Sequence, residues 1–90
     1  MHKFIVAIKL DYKEEDKFVQ YLKKEGMGWW HRVDGFWMIS THKSDITVNT
    51  IRTVLTEISK NTSIVIKVEN KGWSGFGLPD DFDWMKDNWN

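Results

Sequence analysis

The sequence predicts a small α+β domain of order β-α-β-β-α-β, followed by an aromatic-rich C-terminal segment, and three observations predict it. An almost unbroken apolar run occupies Lys3–Leu10, an Asp34-Gly35 pair separates two aromatic-rich runs, and one stretch on either side of that pair carries apolar residues at helical spacing. Ninety residues are enough for one domain with a single core.

The first strand is Lys3-Phe-Ile-Val-Ala-Ile-Lys-Leu10. Phe4, Val6, Ile8 and Leu10 would lie on one face, Ile5 and Ala7 on the other. A run apolar on both faces suits a central strand covered on both sides. Asp11-Tyr-Lys-Glu14 then has the spacing of a capping box, in which side chain and backbone satisfy each other at a helix start. Phe18, Tyr21, Leu22 and Glu25 follow at helical spacing, and Gly26 suits the position just past the end. The helix runs about three turns.

Met27–Val33 and Phe36–Thr41 read as a hairpin around Asp34-Gly35, since both central positions of a type I′ turn need positive φ. A two-residue loop sets Val33 opposite Phe36, Arg32 opposite Trp37, His31 opposite Met38 and Trp30 opposite Ile39. Trp30, Arg32, Trp37 and Ile39 then share one face, and Trp29, His31, Val33, Phe36, Met38 and Ser40 the other.

Thr47 or Asp45 can cap a second helix, whose Ile51, Val54, Leu55 and Ile58 form one apolar stripe. Asn61-Thr-Ser63 ends it. Ile64, Ile66 and Val68 alternate with Val65, Lys67 and Glu69, which predicts a last strand that buries its Ile64 face. With the first and third strands central and both helices on one face, the order is the ferredoxin-like arrangement with an antiparallel sheet. Residues 1–70 form that domain, and 71–90 are expected to dock on it. Glycines around Trp73 and Phe76 mark an irregular turn, and Pro79-Asp80-Asp81 opens a short helix with Phe82, Met85 and Trp89 on one stripe. The surplus of apolar surface on the sheet calls for a cover, either this segment or a second copy of the chain.

Composition narrows the function. Without cysteine there is no disulfide scaffold and no cysteine-ligated zinc. Net charge is zero; residues 1–67 hold 11 basic and 8 acidic side chains, residues 68–90 only 2 and 5, so an overall basic footprint for nucleic acid is missing. The opening apolar run is too short and too soon charged for a signal peptide or membrane span, which points to the cytoplasm. His2, His31 and His42 have no metal-ligand spacing, and Gly72, Gly75 and Gly77 lack the lysine and helix pattern of a phosphate loop. No cofactor is expected. Six tryptophans remain as the unusual feature. Trp30, Arg32 and Trp37, with Lys9 and His31 nearby, could stack a nucleobase and contact phosphate. The favoured reading makes them core or interface, with Arg32 in a cation–π pair, because large exposed apolar patches on monomers are rare.

Trp29-Trp30-His31, the Asp turn and Trp37-Met-Ile are similar to segments of a group of small bacterial and phage proteins known as SinR-like. So are Ile51-Arg52 with Leu55, Trp73-Ser-Gly-Phe76 and Trp84-Met-Lys. The resemblance covers most of the chain. It implies kinship in fold with the small CRISPR-associated subunit, and a homodimer packed through sheets and C-terminal segments, here Trp73, Phe76, Trp84 and Trp89. That subunit's nuclease activity is attributed to an Asp following a Tyr. This chain has Asp11 before Tyr12, and Asp11 is also the best helix cap.

The expected function is a non-catalytic homodimeric binding module for a nucleotide, nucleic acid or protein partner, with a phage-type inhibitor of host defence as one form of it. The alternative is a metal-dependent nuclease using Asp11.

Overall fold

The computed structural model describes residues 1–69, 72–77 and 82–89. The elements run β1 (His2–Ile8), α1 (Tyr12–Lys24), β2 (Gly28–Val33), β3 (Phe36–Thr41), α2 (Val48–Ile58), β4 (Ser63–Val68) and α3 (Phe82–Trp89). Among the described residues no helix is long and apolar enough to cross a membrane.

Local chemistry places the helix ends. Asp11 caps α1, its Oδ1 accepting the Glu14 N–H at 2.8 Å while the Asp11 N–H donates to Glu14 Oε1 at 3.0 Å. At the other end Gly26 takes φ +67, so its N–H reaches the Lys23 carbonyl and that of Met27 the Leu22 carbonyl, closing the last turn. Thr47 caps α2, with Thr50 completing a reciprocal pair. The Pro79–Asp81 start expected for the last helix lies outside the described residues.

The sheet is antiparallel throughout, in the order β2-β3-β1-β4, with β1 and β3 in the centre. One face carries Phe4, Val6, Ile8, Trp37 and Ile39 against Phe18 and Leu22 of α1 and Ile51 and Leu55 of α2, nearly all without solvent contact. On the opposite face the register sets three cross-strand rows: Gly28–Ser40–Lys3–Val68, Trp30–Met38–Ile5–Ile66 and Val33–Phe36–Ala7–Ile64. Met85 and Trp89 of α3 pack on Trp30 and Met38 in this second, smaller cluster.

Two expectations are corrected. The hairpin exists, but its register slips: Trp30 stands opposite Met38 instead of Ile39, and His31 and Arg32 together face Trp37 across a bulge. Only Gly35 has positive φ, so the turn is not type I′. An unprimed turn splays its strands, and a bulge restores right-handed twist, which accounts for the two occurring together. The slip sends Trp30 and Trp37 to opposite faces. The last strand is also inverted. Val65 is opposite Val6 and turns towards the helices, whereas Ile64 and Ile66, opposite Ala7 and Ile5, are 56% and 46% exposed. With Ile64, Val65 and Ile66 all apolar, alternation alone could not choose the face.

Candidate binding cleft

The α3 side of the sheet is built to accept a helix at one end only. Gly28 and Ser40 keep the first row low: a Cβ at position 28 would stand 2.8 Å from Ser40 Oγ and 3.2 Å from Asn88 Oδ1. Ser40 Oγ donates to Asn88 Oδ1 at 3.2 Å, the Asn88 amide returns to the Trp84 carbonyl at 3.0 Å, and Lys3 Nζ lies 5.9 Å from the Trp89 ring centre. Trp84 and Trp89 stack at 6.4 Å. This end is closed.

Towards the hairpin the cover stops. A cavity of about 360 Å³ opens between β2, β3, α3 and residues 72–77. Its floor is Trp30 and Met38, its walls Phe36, Val33 and Met85, and its rim Trp73, Ser74, Gly75 and Phe76. Trp30 meets Phe36 edge to face at 6.4 Å, which fixes the two rings against each other. Its indole Nε1 is buried without a hydrogen-bond partner among the described residues. Phe76 is fully exposed. Among the described residues no charged side chain lines the cavity. That volume falls within the range of small-ligand pockets, and the lining suits an apolar or aromatic group.

The residues singled out from sequence scatter around this cleft. Trp30 lies in it. Trp37, 1% exposed, is in the helix-side core, edge-on to Phe18 at 4.9 Å. His31 stacks flat on Trp37 at 3.8 Å, with Nδ1 2.8 Å from the Phe36 carbonyl and Nε2 3.1 Å from Glu15 Oε1. Through these two contacts the imidazole ties the bulge to α1. A shared platform of Trp30, Arg32 and Trp37 is therefore not formed, because the bulge separates the two tryptophans by the thickness of the sheet. Arg32 is exposed on β2. Lys9 is exposed just past β1, its carbonyl accepting from Asn61 Nδ2 at 2.7 Å.

Of the residues expected at a dimer interface, Trp89 is buried within its own chain, Trp73 and Trp84 are half-buried, and only Phe76 is open. Asp11 spends its Oδ1 on the α1 cap. Among the described residues no group of three or more His, Asp or Glu side chains could hold a metal ion. Sequence reading missed Val33, Phe36, Met38 and Met85 as cleft residues; the one available signal was that the hairpin carries more apolar side chains than one face can bury. No protein-family model, curated protein or solved structure matches this chain.

Proposed function

We propose that this protein is a non-catalytic homodimeric binding module whose cleft receives an apolar or aromatic anchor from a protein partner. The aromatic lining of the cavity, without charge among the described residues, carries the reading. A nucleotide would bring phosphate to a site whose described lining residues offer no cation, whereas Trp, Phe and Met surfaces are what a buried protein anchor meets. The β-α-β-β-α-β order, with β1 and β3 central, supports a ferredoxin-like fold and the SinR-like kinship as parts of the same proposal.

The test is a thermal-shift panel of short peptides bearing a central Trp, Phe or Leu beside mononucleotides, cyclic nucleotides and short oligonucleotides. A ligand selective for the folded state raises the midpoint with its concentration. Peptide-dependent shifts that shrink in Phe76→Ala support the reading. Shifts from nucleotides alone, unaffected by Phe76→Ala, would overturn it.

A further inference from the structure

The two edges of the sheet are finished differently. β2 is interrupted by the bulge at His31–Arg32, carries exposed Arg32, and begins at Gly28 beneath Asn88 of α3. Bulges and charges at an edge obstruct the addition of another strand. β4 has few such defences. Its six residues pair with β1 in unbroken register from Lys3–Val68 to Ile8–Ser63, without glycine or proline, and among the described residues no strand pairs with its outer side. The exposed Ile64 and Ile66 continue across the sheet into half-buried Ala7 and Ile5.

We propose that β4 is the dimer strand: a second copy of the chain pairs with it antiparallel, about a two-fold axis perpendicular to the sheet, giving one continuous eight-stranded sheet. This names the surface for the homodimer part of the reading above and rests on that reading. The strand is self-complementary. A perpendicular axis requires paired residues to share a face, so the axis passes through a residue. Centred on Lys67 it would oppose two lysines, which is destabilising. Centred on Val65 it sets Ile64 opposite Ile66 of the second copy, Val65 opposite Val65, and Lys67 opposite Ser63, with no charge against its like. Both exposed isoleucines then gain an apolar mate, and the outer N–H and C=O groups of β4 gain partners.

The native chain has no cysteine, so single cysteines report proximity cleanly. Directly opposed residues in an antiparallel pair have Cα atoms about 4.5–5.5 Å apart, within disulfide reach. Val65→Cys is expected to form a covalent dimer on mild oxidation, while Gln20→Cys, exposed on α1, stays monomeric. In sedimentation equilibrium the native chain is expected to dimerise, and Ile66→Lys to weaken dimerisation roughly tenfold or more while the variant keeps the native circular dichroism spectrum. A dimer indifferent to Ile66→Lys and not trapped by Val65→Cys would overturn the β4 assignment and leave the homodimer standing. A native chain that stays monomeric at every concentration would overturn both, leaving the cleft to its own test.

Discussion

The sheet's two faces bury similar kinds of side chain by different means. On one, α1 and α2, of 13 and 11 residues, lie over Phe4, Val6, Trp37 and Ile39 and exclude water completely. On the other, α3 has eight residues. At about 1.5 Å per residue it is roughly 12 Å long, against strands of about 20 Å. It can therefore cover only part of that face. Trp30 and Met38 are buried beneath it; Val33 and Ile64, one row further on, are more than half exposed. The helix side holds the fold together, and the proposed contacts with other molecules lie where cover runs out.

This contrast can be broken by substitution. Trp37→Ala removes the largest fully buried side chain and its contacts with Phe18 and His31. It should cost about 3–5 kcal/mol in urea unfolding, with loss of the whole fold. Trp89→Ala on the other face should cost about 2 kcal/mol, because the loss cannot exceed the free energy with which α3 docks. Hydrogen exchange would show the difference: α3 amides lose protection in Trp89→Ala while those of α1 and α2 keep theirs. Equal and global losses for the two variants would mean that both faces unfold as one unit.

A finer probe is Gly28→Ala. Its Cβ would intrude on Ser40 and Asn88, so Ser40 must rotate and the α3 contact loosens, at about 1–2 kcal/mol in thermal unfolding. The smallest effect belongs to the helix side. Burial, then the Glu25 and Asp45 carboxylates, push the Tyr21 phenol above its ordinary range, and its oxygen is buried without a partner among the described residues. A folded-state value above the unfolded one means stability that is intact below about pH 10 and is lost as pH rises through the folded value. Tyr21→Phe should leave stability at neutral pH unchanged or slightly higher and flatten the alkaline fall of the melting temperature.

The candidate site was only half legible. Trp30 was visible as a hairpin aromatic, but its neighbours in the cleft include Met85 of α3 and residues 73–76, which no local pattern assigns to that side. The hairpin shows why. One extra residue at His31–Arg32 changes the partner of Trp30 from Ile39 to Met38, and because side chains alternate with a period of two, one residue of slip moves an indole to the far face. Nothing in Trp29-Trp30-His31-Arg32 signals the bulge.

What the sequence determined by itself is what its neighbours along the chain can enforce. Asp11 and Glu14 begin α1, Gly26 ends it, the Asp45–Thr47 stretch marks the start of α2 (the structure selects Thr47), and the Ile51–Leu55 stripe chooses the buried side of that helix. These are contacts of three or four residues' reach, so they survive without knowledge of the rest. Tertiary structure alone decided which face each tryptophan occupies, that Val65 rather than Ile64 turns inward, and how far α3 extends its cover. Strands with apolar residues at both parities carry no preference of their own; pairing with β1 and packing of the helices supply it.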